Sequence, residues 1–391
     1  MIKTSKIIDS ISLISIFLFL QYVFWFQYAV REIDSFLTMM ALIMGICIIL
    51  RRSIDVSVLK AISPVIAFVI IAFVSSLLIS SNRNYSLNLV IRVIRYLIPF
   101  LSLCFYIGTS YKNAQRIYFV FVLSGLMLSI ALFLVGDYNH ALEGYMIGDL
   151  NPNVFSSYLL TSLLGCLFLN NTLKNRLSRT ILLSVITIGF VAQIQAGSRR
   201  GILIYILVII MYLFSSSIIR YKKSSITKIL AAFGVVAIIL IVLLDFSLLM
   251  PEYSNITQIF NSTVGDSRRA MYMTIALQIF RTHPIIGSGF GSVSLVAGMY
   301  SHSLYFELLA TTGLIGLFVL LLPLVRIMYI SYKECKRKDL DPEYRMQKIT
   351  LVITILSILI TGITVVFIYD AIFYVFLAFL ISENRILLGQ K

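Results

Sequence analysis

Apolar runs of roughly 20 residues recur from one end of this 391-residue chain to the other. A run of that length matches the thickness of a bilayer core, and no soluble domain carries so many. The chain is therefore expected to be all-α, a polytopic integral membrane protein with about twelve transmembrane helices. Transmembrane β-barrels are excluded, because they need shorter, alternating segments. The spans are expected near residues 9–30, 34–50, 61–80, 89–109, 117–136, 153–170, 180–196, 201–219, 229–250, 303–330, 349–368 and 370–388. Only 13% of residues are charged, about half the share usual in soluble domains. Residues 1–391 form a single integral membrane domain, and the first apolar run is expected to stay as a helix rather than leave as a signal peptide.

Charge placement sets the topology. With the N-terminus in the cytoplasm and alternating spans, all 13 lysines fall on the cytoplasmic side. Both termini are then cytoplasmic. The net charge of +15 is a topology signal rather than a nucleic-acid surface. Nine arginines break the pattern: Arg31, Arg83, Arg92, Arg95, Arg199, Arg200, Arg268, Arg269 and Arg281 fall on the outer side with no lysine among them. The guanidinium grips phosphate bidentately and stays charged. The plain alternative is that arginine tolerates the interface by stacking and pairing. His140, His283 and His302 fall on the same side.

Two outer loops are long. One, near 137–152, is acidic. The other, 251–302, is the large extracytoplasmic loop, and its stretch Arg268–Arg281 reads as an amphipathic helix lying on the membrane surface. His283-Pro284 ends that helix, and Gly287, Gly289 and Gly291 permit a tight turn and close backbone approach.

The residues able to carry chemistry gather there. Gly197-Ser198-Arg199-Arg200-Gly201 is a candidate anion clamp, or else an interfacial turn whose arginines reach headgroups. Arg268 and Arg269 stand at the start of the surface helix, where the helix end itself favours an anion. Arg281 lies at its far end beside His283. His302, at the return into the membrane, is a candidate general base, and Glu307 lies close enough to orient it or to pair with an arginine. The Gly-Ser-Gly-Phe-Gly cluster lacks the lysine and the strand–turn–helix setting of a nucleotide loop. Asn151-Pro152-Asn153 reads as a helix cap. No metal-ligand spacing and no cofactor motif occurs.

Four of these segments, in this order, resemble the O-antigen ligase/polymerase superfamily of Wzy- and WaaL-type membrane proteins. They are LNPNVFSSYLL, the GSRRG turn, HPIIGSGFGSV and SHSLYFELLATTGLIGLF. This chain departs from the pattern at Ser303, where relatives often have Asn, and at Arg200, commonly Gly or Ala. The resemblance implies a GT-C-like fold and a metal-independent transfer of a polyprenyl-diphosphate-linked glycan in the bacterial inner membrane, on its periplasmic or exterior side. It implies His302, Arg199 and Arg268 as catalytic residues. Arg199, Arg200, Arg268, Arg269 and Arg281 would bind the diphosphate, with Glu307, Gly287 and Gly289 supporting. The family pattern does not say which of Arg268 and Arg269 acts. The expected partners are the lipid-linked donor and acceptor, membrane lipids, a chain-length regulator and a flippase. Two family activities stay open: polymerisation of repeat units, which is favoured, and ligation to another acceptor. A transporter is the competing class, since about twelve spans suits one too; the polar residues here concentrate on one face and no internal repeat is visible.

Overall fold

Lipid offers no hydrogen bonds, so each apolar run must satisfy its backbone within itself. The computed structural model describes residues 2–26, 28, 34–50, 56–108, 110–139, 144–173, 175–220 and 264–389. These residues form α1 (Ile2–Gln21), α2 (Asp34–Leu50), α3 (Val56–Leu78), α4 (Arg83–Gly108), α5 (Tyr111–Val135), α6 (Pro152–Thr172), α7 (Arg176–Gln195) and α8 (Arg199–Arg220). After these come α9 (Val264–Thr282), α10 (Ser292–Ala297), α11 (Leu304–Cys335), α12 (Pro342–Gly362) and α13 (Ala371–Gly389). Nine helices among the described residues are long and apolar enough to cross a membrane, so the chain is an all-α polytopic membrane protein. Two further expected spans fall on α2, with 17 residues, and on α13, whose apolar part is short. The expected ninth span, 229–250, lies outside the described residues, as do His140, Arg31 and the first part of the large loop.

Burial does not follow apolarity. The most buried span is α6, with 83% of its apolar window inside, whereas α8 has only 28% inside and presents most of its surface outward. A helix surrounded by other helices is not judged by lipid, so α6 carries serines and threonines that bond back to their own backbone. Where α5, α6 and α13 meet, Tyr118 stacks on Phe168 at 4.7 Å, and Phe379 meets both rings edge-on at 5.1 Å.

Side-chain pairs sort the helix ends. Asn151 caps α6 by accepting from the Asn153 amide at 2.9 Å, with Pro152 in the first turn. That end of α6 meets the start of α8, where Ser198 Oγ donates to Asn153 Oδ1 at 3.2 Å. The start of α8 in turn meets the end of α12, where Arg200 donates to the Thr364 carbonyl at 2.9 Å. The start of α11 lies there as well, with Tyr305 donating to the Leu359 carbonyl at 2.6 Å. At the opposite end Lys348 Nζ stands 2.9 Å from Glu334, and Asn171 Nδ2 donates to Thr350 Oγ1 at 3.0 Å. The starts of α6, α8 and α11 thus share one end of the bundle with the end of α12.

Two details depart from expectation. The acidic loop contains a two-stranded antiparallel ribbon, β1 (Asp137–Asn139) paired with β2 (Gly144–Met146), with Tyr138 and Tyr145 opposite one another. The span expected to reach residue 368 ends at Gly362, although Val366, Phe367 and Ile368 remain buried. Hydropathy registers that burial and not the turns at 363–370, which deliver Thr364, Tyr369 and Asp370 to one end of the bundle.

Candidate active site

Helix α11 is broken. Gly313 has φ 64° and ψ −165°, a conformation that suits glycine. A break at this depth frees carbonyls and amides that lipid cannot satisfy. The turn after α9 supplies their partners. The amides of Leu314 and Ile315 donate to the carbonyls of Pro284 and Ile285 at 2.9 and 3.2 Å. In return the amides of Ser288 and Gly289 donate to the carbonyls of Ala310 and Thr311 at 2.8 and 3.1 Å. Gly287, Gly289 and Gly291 all have positive φ, at 72°, 93° and 73°. A Cβ on Gly287 would lie 2.4 Å from the Thr311 carbonyl carbon. The remaining amides are also occupied: Gly287 donates to the His283 carbonyl, Phe290 to Ser76 Oγ and Gly291 to the Tyr369 hydroxyl. With every amide from 287 to 291 paired to protein, the turn is a plug that fits the broken helix and not an anion cradle.

His302 sits where the chain re-enters α11. It is the one non-glycine residue with positive φ among those described, at 58°. Its ring packs against Tyr300 at 4.7 Å and Tyr272 at 5.6 Å. Glu307, fully buried, holds the loop: Oε2 accepts from the Ser301 amide at 2.8 Å and Oε1 from the Tyr369 hydroxyl at 2.7 Å. Ser301 Oγ donates to the Ser303 carbonyl at 2.9 Å. Glu307 therefore acts on the backbone beside His302, not on the imidazole. Burial, and then the positive charge of Arg269, lower the His302 pKa from its ordinary value. Both effects favour the uncharged imidazole, the form that can accept a proton.

Of the two arginines at the start of α9, Arg269 is the one turned toward this loop. It is partly buried and in electrostatic reach of Tyr300 and His302; Tyr272, three residues on, shares its face of the helix. Arg268 and Arg281 are exposed. His283 is exposed too, and its Nδ1 lies 3.0 Å from Thr282 Oγ1 and 3.1 Å from Ser288 Oγ, within its own turn.

The GSRRG segment forms the joint between α7 and α8. Gly197 turns the chain at φ 69°, and Ser198 Oγ accepts from the Gly201 amide at 3.3 Å, opening α8. Arg199 and Arg200, partly buried, are the first residues of that helix. Arg200 reaches Thr364, two residues beyond Gly362, and a Cβ on Gly362 would lie 3.1 Å from Leu304, two residues after His302. The arginine turn and the histidine loop thus both lean on the same end of α12.

Two residues of this region escaped the sequence reading. Tyr369 ties Glu307 to the glycine turn. Asp370 lies beside it, its carboxyl pushed up to about 6 by burial and held back by Arg92. Burial, and then Asp370, raise the hydroxyl of Tyr300, the ring that packs on His302. The available signal was a Tyr-Asp pair between two spans that nearly abut. Among the described residues no group of three or more His, Cys, Asp or Glu side chains could hold a metal ion.

Residues 178–321 match the family model described as O-antigen ligase, a segment that holds the arginine turn, α9, the glycine plug and His302. No curated protein matches. Among solved structures, one similar chain belongs to "Structural coordination of polymerization and crosslinking by a peptidoglycan synthase complex". It is 16% identical, with a TM-score of 0.46, over 86% of this chain and 97% of that one.

Proposed function

We propose that this chain, which carries an O-antigen ligase family domain over residues 178–321, is a membrane glycosyltransferase that polymerises polyprenyl-diphosphate-linked repeat units. Its product is a surface polysaccharide, O-antigen or capsule. The end of the bundle that carries His302 and the arginine turn faces away from the cytoplasm, on the outer side of a bacterial inner membrane. One observation carries the reading: a partly buried histidine stands within electrostatic reach of Arg269, in a loop that leans on the end of α12 that Arg200 also contacts.

The chemistry follows from charge. The acceptor hydroxyl attacks the anomeric carbon, and the bond from that carbon to the diphosphate oxygen breaks. The hydroxyl proton passes to His302. The diphosphate leaves on its lipid with added negative charge, which Arg199, Arg200 and Arg269 are built to stabilise. Arg269 is preferred to Arg268 as the loop arginine, because it is the one turned to His302. Inversion at the anomeric carbon is expected by resemblance to the family.

Ligation of a finished glycan to another acceptor is the second reading, favoured by the description of the matching family. Deleting the gene and resolving the surface glycan on a gel separates the two. A single-repeat product supports a polymerase, and free lipid-linked polymer supports a ligase. An unchanged glycan would remove both.

A further inference from the structure

A narrow cleft with both polar and apolar walls enters the bundle at Arg200, and the proposed chemistry uses none of its residues but that arginine. Its walls include Asn153, Ser156 and Ser157 of α6, Ser198 just before α8, Gly201 of α8, and Thr361 of α12. Polar groups are costly at this depth unless something binds them.

The direction of the hydrogen bonds is informative. Ser156 Oγ donates to the Pro152 carbonyl at 2.7 Å, Ser157 Oγ to the Asn153 carbonyl at 3.0 Å, and Thr361 Oγ1 to the Ser357 carbonyl at 2.6 Å. Each hydroxyl gives its proton to its own helix and keeps its lone pairs. The hydroxyls of the wall therefore offer acceptors, beside the Arg200 donors and the side-chain N–H2 of Asn153, whose Oδ1 accepts from Ser198. A phosphate oxygen, which only accepts, suits the Arg200 side of the cleft and finds no partner in these hydroxyls. A group that donates suits them.

Gln193 of α7 adds a second observation. It is fully buried, and neither its amide nitrogen nor its amide oxygen has a hydrogen-bond partner among the described residues. It stands against the cleft wall: a Cβ on Gly201 would lie 1.7 Å from Gln193 Nε2 and 2.2 Å from Ser156 Oγ. Two polar atoms thus converge over the one residue of α8 that has no side chain. An amide both donates and accepts, as a hydroxyl does. The free space is about what one water molecule needs, so the cleft takes a group of hydroxyl size.

We infer that this cleft is a sugar subsite, reading a hydroxyl of the glycan next to the diphosphate through Ser156, Ser157 and Gln193. It rests on the reading of the substrate as a diphosphate-linked glycan held by Arg199 and Arg200. The subsite sets specificity; it touches neither the bond that breaks nor the proton that moves.

The test uses the full-length protein in detergent, with lipid-linked repeat units extracted from cells lacking the gene. Gln193→Leu keeps the side chain's size and removes an unpaired amide, so thermal stability is expected to hold or rise. Ser156→Ala removes a hydroxyl bonded only within its own helix, and guards against a fold effect at Gln193. Each variant is expected to raise KM about tenfold with a smaller change in kcat, as losing one hydrogen bond to substrate implies. Free polyprenyl diphosphate, which carries no sugar, should inhibit wild type and both variants equally. An unchanged KM in both variants overturns the subsite and leaves a buried amide with a structural water. Weaker inhibition by free polyprenyl diphosphate in the variants also overturns it, because the cleft would then hold the diphosphate. No transfer by wild type removes the functional reading itself, and the subsite with it.

Discussion

Tyr369 donates its hydroxyl to Glu307 Oε1 at 2.7 Å, joining the turn before α13 to the first turn of α11 across 62 residues of chain. The same hydroxyl accepts from the Gly291 amide, and the other oxygen of Glu307 accepts from the Ser301 amide. One buried carboxylate thus fixes the glycine plug, the His302 loop and the turn carrying Asp370 relative to one another.

Glu307→Gln keeps one acceptor oxygen where two are needed. The His302 loop should loosen, and kcat should fall by about tenfold or more, as when an orienting partner of a reactive group is lost. Tyr369→Phe should cost less, because the Ser301 contact remains. Glu307 holds backbone and not the imidazole, so KM for the donor and the acid limb of the pH profile should stay in place. Steady-state kinetics at several pH values checks this. A shifted acid limb would mean that Glu307 acts on the imidazole after all.

His302 must be neutral to accept a proton, and burial together with Arg269 lowers its pKa from 6.5. Activity should therefore hold at pH 7 and fall only as pH drops through a value below 6.5. Arg269→Gln removes the neighbouring positive charge, so the imidazole should protonate more readily and the acid limb should move up. The pH profiles of wild type and variant test this. An acid limb that moves down in Arg269→Gln contradicts the electrostatic arrangement.

Asp370 has the opposite linkage. Its carboxyl is raised from 3.8 to about 6, so its contribution to stability is fully present below 3.8 and lost as pH rises through about 6. At pH 7.5 the ionised side chain is a liability that Arg92 offsets in part. Asp370→Asn should then be more stable than wild type at pH 7.5, by on the order of 1–2 kcal/mol after allowance for solvent screening. The difference should vanish near pH 4. Thermal unfolding in detergent at the two pH values measures it. A less stable variant at pH 7.5 would mean that the Arg92 interaction outweighs desolvation.

Gly287→Ala asks the plug to accept a side chain at φ 72°, with its Cβ 2.4 Å from the Thr311 carbonyl carbon. Strain and overpacking together should destabilise the protein by on the order of 2–4 kcal/mol. Gly298→Ala is a control for the backbone strain alone: φ is nearly the same, at 73°, but nothing lies within 4 Å of the added Cβ. Thermal stability in detergent should separate the two variants. Equal losses would mean that the close fit against α11 adds nothing.

Much of this was legible in the sequence, because bilayer physics writes in long patterns. The apolar runs mark the helices, the cap at Asn151 and the end of α9 before His283 lie where expected, and the GSRRG turn joins two helices. Hydropathy could not report that Gly313 breaks α11, since the residues on both sides stay apolar. It also ran the span before Ile368 too far, because a buried non-helical turn is as apolar as a helix. The choice between Arg268 and Arg269 depends on which face of α9 meets the His302 loop. That is set by small contacts among Ala276, Val293 and Ala310, which the charge pattern does not record. Tyr369 and Glu307 are far apart in the chain, and nothing in either neighbourhood announces the bond.

The central claim is that His302 accepts the proton of the incoming hydroxyl. The most direct test is the length distribution of the surface glycan in cells whose only copy of the gene carries His302→Ala, at protein levels matched to wild type. Loss of the long-chain glycan is the expected result. A normal ladder from the variant would contradict the assignment of His302 and the site built around it.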